Sequence, residues 1–152
     1  MDNSNLQRMA RRLLRASATE AAMYRKTTHN ISISAEPRFL PDESRPDQAR
    51  FFWAYTIEIE NCGSEPVQLL ARHWKITDGN GRTQEVHGIG VVGEQPIIAP
   101  GARYSYTSGC PLSTPHGIMT GIYNMLSENG DPFNVDIPAF PLHSPHVKQA
   151  LN

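Results

Sequence analysis

The sequence predicts an all-β sandwich. From Thr28 onward, β-branched and aromatic runs are interrupted by turn residues at intervals of roughly 8–15 positions, the rhythm of short antiparallel strands. Arg50 to Glu60 alternates strictly, while Asp78-Gly79-Asn80-Gly81 and Glu128-Asn129-Gly130-Asp131 place residues that tolerate positive φ between two strand patterns. Seven strands in about 110 residues is the count of an immunoglobulin-like or fibronectin type III-like sandwich.

The elements follow in order. Asp2 to about Lys26 lacks Pro and Gly and is rich in good helix formers, so it reads as helix. Leu6, Met9, Ala10, Leu13 and Ala16 form a helical stripe, with Arg8, Arg11, Arg12 and Arg15 around it. The expected role is an N-terminal extension with a solvated basic face; a membrane-surface helix, a transit peptide and a nucleic-acid arm are the functional alternatives. The first strand spans about His29 to Ala35, with Ile31 and Ile33 inward. Leu40 to Gln48 is a polar loop, because Pro41, Asp42, Pro46 and Asp47 fit poorly inside a sheet. Arg50 to Glu60 then places Phe51, Trp53, Tyr55, Ile57 and Ile59 on one face and Thr56, Glu58 and Glu60 on the other. In Val67 to Thr77, Trp74 and Ile76 share a face that Val67 and Leu69 do not, which requires a bulge near Leu70 or burial on both sides. Arg82 to His87, Ala102 to Ser108, Gly117 to Leu126 and Phe133 to Ile137 complete the set, with Pro138 and Pro141 ending the last strand. Gly117 to Leu126 is apolar on both parities, so it is expected to be covered twice or to meet a partner, and Met119, Tyr123 and Met125 are its candidate interaction surface. The expected organisation is an extension over 1–27, a sandwich over 28–142 and a tail over 143–152.

Composition limits the function classes. The 152 residues carry 14 Lys plus Arg against 15 Asp plus Glu, a net charge of −1, and 39% are hydrophobic. Residues 2–26 hold six of the cations and two of the anions, so the basic character is confined to the extension and no nucleic acid is expected on the acidic sandwich. No run of 18 apolar residues and no apolar secretory core is present, and a soluble intracellular protein without membrane insertion is expected. Cys62 and Cys110 are too few for a disulfide scaffold and lack C-x-x-C spacing, so reduced thiols are expected.

Several constellations invite chemistry. Gly88, Gly90 and Gly93 form a literal G-x-G-x-x-G, yet Glu94, Gln95, Pro96 and the turn at Ala99-Pro100-Gly101 leave no room for the helix that would face a pyrophosphate. A reduced version remains, an anion-binding backbone nest aided by Arg72, Arg82 and His87 if they converge. His73, His87 and His116 could assemble a metal site with Asp78 or Glu94, but no H-x-H or H-x-x-x-H pair supports it, and neither a metal ligand nor a cofactor is assigned. A Cys110/His116 pair is conceivable for nucleophilic catalysis, although a strand-to-loop corner explains Cys110 equally well. Glu58 and Glu60 share a face and read as a solvated acidic stripe.

The segments Phe52 to Asn61, Arg72 to Gly81, Gly88 to Pro96, Tyr106 to Leu112 and Met119 to Met125 resemble the bacterial ApaG family in order and spacing, and the match extends over about Thr28 to Leu142. The resemblance implies a fibronectin type III-like sandwich and a cytoplasmic protein without an established catalytic activity. It further implies a link to cobalt and magnesium resistance, and protein interaction as the role of related domains. The family's glycine motif, matched by Gly88, Gly90 and Gly93, has been suggested to bind pyrophosphate. A non-enzymatic module with an unidentified protein partner is therefore expected. A phosphate-bearing ligand, a divalent-metal sensor and a homodimer are the alternatives.

Overall fold

The computed structural model describes residues 7–8 and 22–146. Its strands are β1 (Tyr24–Thr28), β2 (Ile31–Phe39), β3 (Phe51–Asn61), β4 (Val67–Asp78), β5 (Thr83–Ile89), β6 (Ile97–Ile98), β7 (Arg103–Leu112), β8 (His116–Ser127) and β9 (Pro132–His143). They form two antiparallel sheets, ordered β1-β2-β3-β7 and β5-β4-β8-β9, with β6 also paired to β4. The alternating residues of β3 explain the packing. Trp53, Tyr55, Ile57 and Ile59 are buried against Trp74, Met119, Tyr123 and Met125 of the second sheet, which makes one continuous core between the layers.

Gln7 and Arg8 are helical, and the remainder of the expected helix up to Ala21 lies outside the described residues. The helix does not reach Lys26, because Tyr24–Thr28 is already strand. Thr28 pairs with Ile31 across His29 and Asn30, whose φ values are 50° and 65°. Two central residues at positive φ suit the twist of a two-residue hairpin. Pairing with β2 thus overrides the helix preference of Arg25 and Lys26.

Other expectations carry over. The register of β4 against β8 shifts between Leu69 and Ala71, the bulge that the change of parity required. Both glycine-bearing turns close hairpins, with the amides of Gly81 and Gly130 donating to the carbonyls of Asp78 and Ser127. Pro138 and Pro141 do not end β9, however. Gly121 pairs with Ile137 and Met119 with Phe140, so Pro138 and Ala139 together oppose Thr120 in a bulge on an outer strand, where a missing amide is tolerated.

Candidate functional site

The glycine motif ends β5 and turns toward β6 at one end of the second sheet. Val91 and Glu94 exchange two backbone hydrogen bonds around Val92 and Gly93, whose φ values are 45° and 82°, so the motif is a tight hairpin rather than a helix entrance. The Gly90 amide donates to the Leu70 carbonyl at 2.8 Å, and Arg72 Nη1 donates to the carbonyls of Gly90 and Ile89 at 2.8 and 3.3 Å. The amides of Gly90, Val91 and Glu94 are thereby bonded within the protein, and the Arg72 guanidinium clamps the loop. Gly88 allows that clamp, since a Cβ there would lie 2.6 Å from the guanidinium carbon. Gly90 is more constrained still. Its φ is 65°, and a Cβ would stand 2.3 Å from the backbone oxygen of Glu94. Gly90→Ala is accordingly expected to destabilise the protein by about 2–3 kcal/mol, from left-handed strain plus loop displacement. Denaturant unfolding checks this, and a loss under about 0.5 kcal/mol would refute the clash.

Of the three residues expected to converge on the loop, the structure brings only Arg72 there. Arg82 sits in the hairpin at the far end of β5, on the order of 20 Å along the strand by its rise per residue. His87 pairs with His73 and, one residue before Gly88, points to the opposite face of the sheet from Arg72. There the two imidazoles stack with centroids 3.7 Å apart, and Glu85, two residues back on the same face, completes a cluster with them. His116 is not part of it and lies instead against Gly79. Glu85 escaped the sequence reading, although a signal was present: the Asp78-to-Gly81 turn pairs Thr77 with Thr83 and so sets residue 73 opposite 87.

Met119, Tyr123 and Met125 do not form an interaction surface. They are 1%, 0% and 0% exposed, because β8 turns that parity into the core and leaves Ile118 on the outside. Ile118 is 52% exposed, and among the described residues the two most exposed isoleucines lie elsewhere. Ile89 and Ile97 are 80% and 71% exposed, on β5 and β6, opposite Ala71 and Gln68 of β4.

Between the sheets lies a cavity of 340 Å³ whose lining includes Tyr55, Arg72, Trp74, Tyr106, Cys110 and Met119. No histidine lines it among the described residues. Burial pushes the Cys110 thiol up to about 12, which keeps it protonated and removes the thiolate that nucleophilic catalysis needs. Cys62 is exposed, and both cysteines are free thiols. The acidic stripe is an ion-pair network rather than free carboxylates. Arg103 reaches Glu60 at 2.8 Å and Glu58 at 3.6 Å, and Arg25 reaches Glu60 at 3.0 Å. The Arg103 hydrogen bond leads in holding the Glu60 carboxyl below its ordinary range.

These features define a small all-β sandwich with a clamped glycine hairpin at one end of its second sheet. Residues 41–127 match the family model described as the ApaG domain. The chain belongs to the ApaG family. It is 57% identical over 130 residues to Protein ApaG of Xanthobacter autotrophicus and 58% over 130 residues to that of Methylocella silvestris, in each case covering 86% of this chain and 100% of the relative. Among solved structures, one described as an ApaA protein from Bordetella pertussis superposes with a TM-score of 0.74 at 52% identity, over 76% of this chain and 94% of that one. No helix among the described residues is long and apolar enough to cross a membrane.

Proposed function

We propose that the chain is a non-enzymatic binding module that presents the β5/β6 end of its second sheet to a protein partner. The exposure of Ile89 and Ile97 carries this reading. Both strands pair with β4 at one side of the sheet, so two large aliphatic side chains flank the glycine hairpin in water and gain free energy when covered. β5 is also an outer strand, and its free backbone edge suits strand addition by a partner. Burial holds the Cys110 thiol protonated, which disfavours the one nucleophile pair that the sequence suggested. A phosphate-bearing ligand at the glycine hairpin is less favoured, because three amides of that loop are already bonded.

The same proposal places the module in the cytoplasm and routes the family's link to cobalt and magnesium resistance through the partner. It also takes the sandwich over 28–142, with β1 added from the preceding stretch, as fibronectin type III-like. The order β2-β3-β7 facing β5-β4-β8-β9 supports that assignment, three strands against four. The test compares the full chain with an Ile89→Glu/Ile97→Glu double variant, whose surface substitutions are expected to change stability by under about 0.5 kcal/mol each. A partner that copurifies in stoichiometric amount with the parent protein should be lost from the double variant. Retention of that partner, or no stoichiometric partner for either protein, would overturn the reading. Concentration-dependent dimerisation abolished by the same substitutions would make the partner a second copy of this chain.

A further inference from the structure

We infer that His73, Glu85 and His87 form a binding site for one borderline divalent transition-metal ion, of which Zn²⁺ is the type, on the outer face of the second sheet. The site does not depend on the protein-partner reading. His73 and His87 are direct partners across β4 and β5, and Glu85 follows on the same face, so a rigid antiparallel pair holds all three donors. One donor atom from each lies within 4.8 Å of the other two, and among the described residues no other group of three His, Cys, Asp or Glu side chains meets that condition.

The geometry is already part-way to coordination. Bonds of about 2.0–2.1 Å to a tetrahedral ion separate neighbouring donors by about 3.4 Å, and His73 Nε2 stands 3.4 Å from Glu85 Oε1. His87 is exposed at the outer strand, so a small rotation of its ring out of the stack brings its nitrogen to the third position. Ring stacking alone would account for two imidazoles side by side. It does not account for His73 Nε2, which is shielded from water yet lacks a well-directed hydrogen bond, its contact with Glu85 being too poorly aligned. A cation between them would give the unpartnered imidazole nitrogen and the carboxylate oxygen a common partner.

The donor set selects the ion. Two imidazoles and one carboxylate suit Zn²⁺, Ni²⁺, Cu²⁺ or Co²⁺ by ligand softness, whereas Mg²⁺ and Ca²⁺ require oxygen-rich sites. The surrounding charges add little. Lys75 lies opposite Glu85, and the nearby Lys26 is paired with Asp136 at 3.0 Å, so cations and anions balance around an open depression beside His73. Coordination rather than a general negative field must therefore hold the ion, and water fills its remaining positions.

Calorimetric titration of the untagged full chain with Zn²⁺ at neutral pH tests the site. One ion per chain is expected to bind. His87→Ala, at an exposed position, should weaken binding at least about tenfold without altering the fold, as loss of one of three ligands requires. Glu85→Gln should weaken it less, while His29→Ala should leave it unchanged. Mg²⁺ should give no binding at the same concentration. Equal Zn²⁺ affinity in the parent and His87→Ala proteins, or no saturable binding at millimolar Zn²⁺, would overturn the inference. Because Ile89 and Ile97 are untouched by these variants, failure here leaves the partner reading standing, and failure there leaves the metal site standing.

Discussion

Replacing Trp53 by alanine is expected to cost about 3–5 kcal/mol, a large share of the total stability of a domain this size. Trp53 is 1% exposed in the middle of β3, and Phe39 meets its ring edge-on with centroids 5.4 Å apart. Its indole N–H crosses between the sheets and donates to the His143 carbonyl at 2.8 Å, which fastens the end of β9 to the first sheet. Alanine removes the bulk and the bond together. Trp53→Phe separates them, because it keeps most of the apolar volume and leaves the His143 carbonyl unpartnered, so a smaller loss of about 1–2 kcal/mol is expected. Urea unfolding of the three proteins measures both effects. A Trp53→Ala protein within about 1 kcal/mol of the parent would show that β9 is held without this contact.

Alternation from Tyr55 to Asn61 made β3 legible in advance, since a single parity enters the core there, although Phe52 and Ala54 at its start are buried on the other face as well. β8 withheld the same information. Ile118 and Ile122 on one parity are as apolar as Met119, Tyr123 and Met125 on the other, and the choice between them depends on pairing. Trp74 is set opposite Gly121 and faces the core, and that contact decides which side of β8 follows it inward. β1 was hidden for a different reason. Tyr24 to Thr28 has no apolar alternation of its own and becomes strand by hydrogen bonding to β2 across a His29-Asn30 turn that lacks glycine. At the candidate sites, adjacency in sequence was a poor guide. Arg72 reaches the glycine hairpin from sixteen residues before Gly88 because register places it opposite, whereas His87, next to Gly88, is directed away by alternation. Residue type marked His73 and His87 as candidates without assigning a metal ligand, and the fold added the carboxylate of Glu85 beside them.

Alkaline pH is expected to destabilise the protein, beginning near pH 9 and steeply above about pH 10. Tyr55, Tyr106, Tyr123 and Cys110 are buried together, and the hydroxyls of Tyr106 and Tyr123 bond across the two sheets at 2.5 Å. Desolvation is the leading cause of the shift in every case. It pushes Tyr55 and Cys110 up to about 12, raises Tyr106 well above the ordinary 10.0 and raises Tyr123 likewise. In the unfolded chain these groups lose their protons near the ordinary values of 10.0 for tyrosine and 9.0 for cysteine. Between those values and their raised ones, the folded state binds more protons than the unfolded state, so stability falls as pH rises. Each group contributes a slope of about −1.4 kcal/mol per pH unit in that window and none below it. Stability should thus be insensitive to these groups at neutral pH and collapse over one to two units above about pH 10. The Tyr106→Phe/Tyr123→Phe double variant supplies the control. Removing both hydroxyls leaves no unpaired partner, so its stability at neutral pH should lie within about 1 kcal/mol of the parent, while either single variant strands a buried hydroxyl and loses about 1–3 kcal/mol. With two of the four buried acids gone, the double variant should also show about half the alkaline slope. Urea midpoints that stay level up to pH 11, or an unchanged slope in the double variant, would mean that the core admits water or ionises without unfolding.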